Sequence, residues 1–389
     1  MTLLIKYELG KILKNRTVFG GIVVGFLVLF GIFLVGYHYS QLLMSETSNE
    51  KNGFKKNIDE IIDSQYYGDF TDEKVKMILA DSMNNFQSYE EQKVVNKPFY
   101  LFYWEMGDTF FSHDTENVYT EMIEKVNKGQ RLTIEDVELY SLDEVGFKKF
   151  DTPLILGNYV PWADLYRVLG YIYALLSIIV ILVSSVVFSD DNSKNINQIL
   201  LVTKYGRSKL IFSKLIATTI ITVGLFVVFH MINIGVFSVM YDINGWNTDI
   251  QTNLSLCLFD FPLKWNHLQI YFLILIMQLI GLGFVEGVTL LVSAFMRSPM
   301  SALAVSLGLY ILPLLLMQIF KTGLVNKILY LFPINNLNIQ NTLSTLYSTN
   351  AFSFHSFFSN IGFTFIFMIL IKVGMQISCF IRIKRWKFA

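Results

Sequence analysis

The stretch that decides the fold runs from residue 165 to residue 240. It reads LYRVLGYIYALLSIIVILVSSVVF (165–188), SDDNSKNINQILLVTKYGRSKL (189–210) and IFSKLIATTIITVGLFVVFHMINIGVFSVM (211–240). A helix of about 20 apolar residues crosses a hydrocarbon layer, and the first and third pieces each exceed that length. The middle piece carries two aspartates, three asparagines, three lysines and an arginine. A segment this polar between two spans is open to three readings: an active site, a ligand pocket or a docking surface for another protein.

The rest of the chain follows the two spans. Of its 389 residues 53% are hydrophobic and 15% aromatic, the mean hydropathy is +0.46, and 16% are charged, against roughly 25% in soluble domains. Six stretches are long and apolar enough to span: Thr17 to Tyr37, Leu165 to Phe188, Ile211 to Met240, Leu268 to Phe295, Pro299 to Ile319 and Phe358 to Ile381. The first exceeds the apolar core of a signal peptide, about 7 to 15 residues, and no small-residue cleavage site follows it, so it is expected to remain as an anchor. The predicted fold class is an all-α polytopic membrane protein with six transmembrane helices.

Formal charge sums to zero, yet it is unevenly spread. Residues 38–162 hold 12 basic and 23 acidic side chains, a net of −11, and the remainder is therefore +11. The basic residues gather at Lys6, Lys11, Lys14 and Arg16, at Lys194, Lys204, Arg207, Lys209 and Lys214, at Arg297, and at Arg382, Lys384, Arg385 and Lys387. Basic residues flank spans on the cytoplasmic side. Both termini are thus expected in the cytoplasm of a cell-membrane, multi-pass protein, with an acidic extracytoplasmic domain at 38–162. Lys321 and Lys327 fall on the outer side in this scheme, in an outer segment 320–357. Topology separates Cys257 from Cys379, and no disulfide is expected.

Within 38–162 the pattern is mainly helical. Thr71-Asp72-Glu73 is a helix start, and Val75, Ile78, Leu79, Met83 and Phe86 keep one apolar face. Thr115 to Lys128 repeats the logic, with Gly129 as its C-cap, and a short helix should start after Thr133. The aromatic run Phe99, Tyr100, Phe102, Tyr103, Trp104, Phe110 and Phe111 reads either as core and membrane-interface packing, the plainer reading, or as a ligand-binding surface. The acidity has two readings as well: solubility of an outer face, or affinity for a cationic substrate.

Residues 1–16 form a basic amphipathic helix, with Leu3, Leu4, Tyr7, Leu9, Ile12 and Leu13 against Lys6, Lys11, Lys14 and Arg16. Such a helix lies at the inner membrane surface, against lipid or a cytoplasmic partner.

Signatures of chemistry are missing. No Gly-rich loop ends in Lys and Ser or Thr. His38, His113, His230, His267 and His355 are scattered without metal-ligand spacing, and no GxSxG elbow occurs. An enzyme is not the leading reading, no metal or cofactor is expected in this chain, and no nucleic-acid partner is expected.

A few polar residues lie deep in the spans. Glu286 is eleven residues before Arg297 and Lys372 ten before Arg382, which at 1.5 Å per residue puts both roughly 15 Å from the inner boundary. An isolated charge there costs several kcal/mol, so the two are expected to pair or to face a common polar cavity, either as a structural ion pair or in a transport path. His230, Asn233, Gln278 and Gln318 are weaker candidates, suited to ordinary interhelical hydrogen bonds.

The middle piece of the opening stretch is the longest cytoplasmic loop, 189–210, in this topology. Ile196, Ile199, Leu200 and Leu201 share one face of a short helix following Asp190 and Asp191, whose charge suits a helix start. Gly206 then turns the chain, and Arg207, Lys209 and Lys214 lead into the third span.

The run Phe188, Asp191, Leu200, Leu201, Thr203, Gly206, Arg207, Lys209 and Lys214 resembles the signature after the second span of ABC type-2 permeases. The family's acid is usually Glu, often followed by Gly before the Leu pair; this chain has Asp191, and Asn195 or Asn197. The order of inner helix, first span, large outer insertion and five more spans (163–389) is similar to one subgroup, as are the link Arg297-Ser298-Pro299-Met300 and Leu331-Phe332-Pro333. The resemblance implies a permease working as a homodimer or with a related permease, in a plasma membrane of bacterial type. It implies that the loop is a coupling helix seated in ATP-binding subunits, which bind ATP and magnesium. Antimicrobial peptides, other amphipathic molecules and cations all fit an exporter of this shape, and the acidic outer segment tilts the balance towards a cationic cargo. A sensor or immunity protein that captures a peptide or lipid-linked antibiotic without exporting it is the alternative.

Overall fold

The computed structural model of the chain describes residues 1–39, 62–94, 100–196, 206–241, 243–348, 354 and 356–385, apart from the side chains of Tyr39 and Arg207. In chain order the main elements are α1 (Thr2–Leu13), α2 (Arg16–Phe33), β1 (Gly68–Asp69), α3 (Asp72–Glu91), α4 (Leu101–Phe110), α5 (Thr115–Asn127), α6 (Leu142–Val145), β2 (Ile155–Leu156), α7 (Val160–Ser193), α8 (Ile211–Met240), α9 (His267–Phe295), α10 (Pro299–Ile319), α11 (Gly323–Leu329), α12 (Ile339–Tyr347) and α13 (Phe357–Lys384). Six helical stretches among the described residues have the length and apolarity to cross a membrane: Arg16–His38, Val160–Ser193, Ser208–Met240, His267–Phe295, Pro299–Ile319 and Phe357–Lys384. The protein is an all-α polytopic membrane protein. Among the described residues its sheet is one antiparallel pair, with Gly68 opposite Leu156 and Asp69 opposite Ile155.

The second span corrects the reading of the loop. α7 has 34 residues and continues through Asp190 and Asp191 to Ser193. These acids therefore close a long helix instead of opening a short one, and the reason is that Asp191 finds buried cationic partners there. Ile199, Leu200, Leu201 and Thr203, with the face expected for them, lie outside the described residues.

The chain forms two compact units. The first comprises Met1–Ile32, Leu169–Ile234 and Leu273–Ala389. Within it α10 starts on Ser298, whose hydroxyl accepts the Ser301 N–H at 3.2 Å, with Pro299 in the first turn, where its missing N–H is not needed. Next in sequence come α11, a 3-10 turn at Pro333–Asn336, and α12. A Cβ added at Gly281, fourteen residues into α9, would come within 3.6 Å of Pro333 Cβ and collide with the Tyr173 hydroxyl. Part of 320–357 thus packs against the middle of a spanning helix. Irregular backbone at that level needs internal partners, and asparagines supply them: Asn326 donates to the Phe320 carbonyl at 2.8 Å, Asn335 to Leu329 at 2.7 Å and Asn360 to Leu346 at 2.8 Å.

The second unit comprises Phe33–Val168 and Gly235–Phe272. The Thr71 hydroxyl accepts the Lys74 N–H to start α3, whose buried face is Val75, Ile78, Leu79, Ser82, Met83 and Gln87. Asp114 caps α5, and Gly129, at φ +71°, ends it in the left-handed region that glycine tolerates. A single 3-10 turn, Ile134–Asp136, follows Thr133 in a capping box. Phe99 lies outside the described residues. The rest of the aromatic run packs in the core, as in the plainer of its two readings: Phe102, Tyr103, Phe110 and Phe111 are buried with Tyr66, Phe70 and Met106, Tyr100 packs against them, and Trp104 stacks on Tyr119 with centroids 5.5 Å apart. Burying such a side chain contributes about 1.5–3 kcal/mol. Gln87 secures the core's edge by donating to the Leu132 carbonyl at 3.0 Å and accepting its N–H at 2.8 Å. Both cysteines are free.

Candidate functional site

The first unit holds two groups of buried charge, and the first lies at the two roots of the opening loop. Lys214 sits in the first turn of α8, its side chain 4% exposed. Its ammonium donates to Glu8 Oε2 at 2.8 Å and to the Val187 carbonyl at 3.3 Å, and it forms an ion pair with Asp191 Oδ2 at 3.0 Å. Lys11 takes the other carboxylate oxygen of Asp191. Two acids and two bases balance, which is the condition under which charge is buried. Glu8 and Ile12, one turn apart, are the buried residues of α1, while Leu3 and Tyr7 are exposed beside Lys6 and Lys14, the pattern of a helix lying on a membrane surface.

Further bonds fix the end of α7. Ser293 of α9 accepts the N–H groups of Phe188 and Ser189, each at 3.1 Å, and donates to the Ser185 carbonyl at 2.7 Å. Asn192 donates to the Met296 carbonyl at 2.8 Å. Gly206 is buried and Lys209 exposed in the π-helical turn Gly206–Leu210 that leads into α8. The described ends of the loop are thereby held to α1 and α9, and displacement of the loop must load those contacts.

The second group lies inside the spans. Glu286 is fully buried on α9, with Thr219 of α8 donating to its Oε1 at 2.6 Å and Lys372 of α13 placing Nζ 3.4 Å from its Oε2. Two glycines on α9 admit the lysine. A Cβ at Gly283 would lie 3.0 Å from Lys372 Cδ, and one at Gly287 would lie 3.0 Å from its Cα and 3.1 Å from its carbonyl oxygen. Glycines four apart let two helices approach closely inside a membrane. The Lys372 side chain remains 24% exposed.

The weaker candidates are separate from both groups. His230 is buried against Phe226, ring centroids 4.3 Å apart, and neither ring nitrogen has a hydrogen-bond partner among the described residues. Gln278 donates to the Leu169 carbonyl at 3.1 Å. Sequence reasoning missed Glu8, Thr219 and Ser293. Glu8 carried a signal, as the one acid in a basic amphipathic helix, whereas a lone Thr or Ser in an apolar span carries none. No group of three or more His, Cys, Asp and Glu side chains among the described residues is placed to hold a metal ion.

A family model described as ABC-2 family transporter protein matches residues 2–381, which covers both charge groups, the first five spans and the sixth up to residue 381. The chain belongs to this family. No curated protein and no solved structure matches it. As an ABC-2 transporter it is the membrane subunit of a transport system, and the family implies association with ABC ATP-binding subunits. Each of the two charge groups joins helices of the first unit.

Proposed function

We propose that this ABC-2 permease moves an amphipathic or cationic cargo, antimicrobial peptides included, out of the cell on energy from separate ATP-binding subunits. Those subunits bind ATP and magnesium. The coupling element is the loop 189–210, with Leu200, Leu201, Arg207 and Lys209 meeting the partner and Asp191, Gly206 and Lys214, which are buried, at its roots. The observation that carries this reading is the buried junction of Glu8, Lys11, Asp191 and Lys214, which ties both described ends of that loop to the N-terminal helix. A rigid root lets force applied to the loop move the helices behind it, as rigid-body rocking of a packed bundle requires. The permease works as a dimer, with itself or a related subunit, both termini face the cytoplasm of a bacterial plasma membrane, and the acidic segment 38–162 faces outward. Its net charge of −11 favours a cationic cargo through electrostatic attraction.

The test is copurification. The detergent-solubilised protein should bring down an ATPase whose turnover in proteoliposomes rises with cargo. Charge reversal at Arg207 together with Leu200→Asp should release that ATPase while the melting profile of the membrane subunit is unchanged. Retained ATPase binding in that variant overturns the coupling assignment. Cargo binding without any cargo-stimulated turnover would favour the sensor or immunity reading.

A further inference from the structure

A cavity of about 340 Å³ lies among α9, α10, α13 and the segment 329–334 of the first unit. Pockets that hold small molecules run from roughly 300 to 1,000 Å³, so this one accommodates a compact ligand. Its walls are Phe, Val, Leu, Ile, Pro and Met side chains with Thr289, Ser306 and Tyr310, and no charged residue lines it. An ion or zwitterion would gain nothing there to offset its lost hydration.

Two hydroxyls without a hydrogen-bond partner among the described residues, those of Ser306 and Tyr310, break the apolar lining. Ser306 is 2% exposed, lines the cavity, and its hydroxyl has no hydrogen-bond partner among the described residues. A helical serine commonly bonds back to the carbonyl one turn earlier; this one does not. On the same wall Pro313 interrupts α10 and has no N–H to give to the Leu309 carbonyl. The Tyr310 hydroxyl, one turn on, likewise has no hydrogen-bond partner among the described residues, but it lies near Ser177, so Ser306 is the donor with no protein group in reach among them. Ser306 is seven residues, about 10 Å, into its helix, deep enough that the ligand reaches it through hydrocarbon.

We infer that this cavity binds a neutral, mainly hydrocarbon molecule dissolved in the bilayer, and that Ser306 donates a hydrogen bond to a hydroxyl or carbonyl oxygen on it. The inference goes beyond export, since it holds whether the occupant is a bilayer constituent or a transported molecule.

The test uses a long-chain primary alcohol carrying a mid-chain diazirine, photolysed with the full-length protein in native membranes and mapped by peptide mass spectrometry. Labelling should concentrate on cavity residues such as Thr289 and Met375, in excess over the outward-facing Leu370. Unlabelled alcohol should compete about fivefold better than the alkane of equal length, the worth of one net hydrogen bond of about 1 kcal/mol. Ser306→Ala, which leaves packing intact, should erase that preference, and Val288→Trp, which fills the cavity, should cut labelling about tenfold. Organic extracts of wild-type and Val288→Trp protein then tell a bilayer constituent, abundant in the host membrane, from a scarce molecule enriched on the wild type. Equal labelling of cavity residues and Leu370, unchanged in Val288→Trp, overturns the inference as contact with surrounding lipid only. If Val288→Trp fails to fold, an alcohol preference unchanged in Ser306→Ala overturns it instead.

Discussion

Replacing Lys214 by Met tests the junction at the loop roots. At 2.8 and 3.0 Å each carboxylate attracts the ammonium by about 6 kcal/mol at an effective dielectric near 20. Desolvation of each ion offsets several kcal/mol of this, and removing one partner of a buried pair costs roughly 3–5 kcal/mol because the other charge stays behind. In Lys214→Met that stranded charge is Glu8, since Asp191 keeps Lys11. The loss should therefore shrink when Glu8→Gln is added: the double variant is expected to be at least about 2 kcal/mol more stable than the sum of the single losses predicts. Lys11→Met, with a side chain 30% exposed, should lose no more than about 1 kcal/mol. The assay is unfolding of the purified protein by increasing SDS in mixed micelles, read as fraction folded for the four members of the cycle. Additivity within about 0.5 kcal/mol would refute the idea that Glu8 and Lys214 are one buried unit.

Other expectations follow from the same contacts. Glu286→Gln keeps the Thr219 bond but strands Lys372, and Lys372→Met strands Glu286; each should lower protein level or reconstituted transport several-fold, and unchanged values for both variants would show that the pair is dispensable. Gly287→Leu should push α9 from the Lys372 backbone at a loss of about 1–3 kcal/mol or more, visible as a lower melting temperature; an unchanged one would contradict the close approach. In the second unit burial raises the Glu105 carboxyl above its usual range, opposed by the hydrogen bond that Ser255 donates to it at 2.6 Å. The native state then holds the proton longer than the unfolded chain, so stability is lost as pH rises from the ordinary carboxylate range through the raised value. Glu105→Gln should flatten that part of the pH–stability profile, followed by near-ultraviolet aromatic dichroism; a profile identical to wild type would remove Glu105 from the account.

Much of the fold is legible because membrane spans carry a strong signal: about 20 apolar residues have few other uses. Cap chemistry at Thr71 and the apolar spacing of α3 are readable for the same local reason. The end of α7 is not. Asp190 and Asp191 look like helix-start charges in one dimension, and only the return of Lys11 and Lys214 in space makes Asp191 a buried residue of a helix end. Depth arithmetic puts Glu286 and Lys372 at a similar level, but it cannot see Thr219, or Gly283 and Gly287 as the space the lysine occupies. The packing of Pro333 beside Gly281 is likewise tertiary, since a polar stretch between two spans reads as an outer connection.

The Glu8–Lys214 contact also constrains synthesis. Lys214 lies 206 residues after Glu8, so the ribosome makes the acid long before its counter-ion. Until the third span is inserted, α1 must wait at the aqueous interface, because an unpaired carboxylate resists burial. Seating of the N-terminal helix therefore reports that the first three spans have arrived, and a chain stopped earlier displays a loose, charged N-terminus to the proteases that survey unfinished membrane proteins.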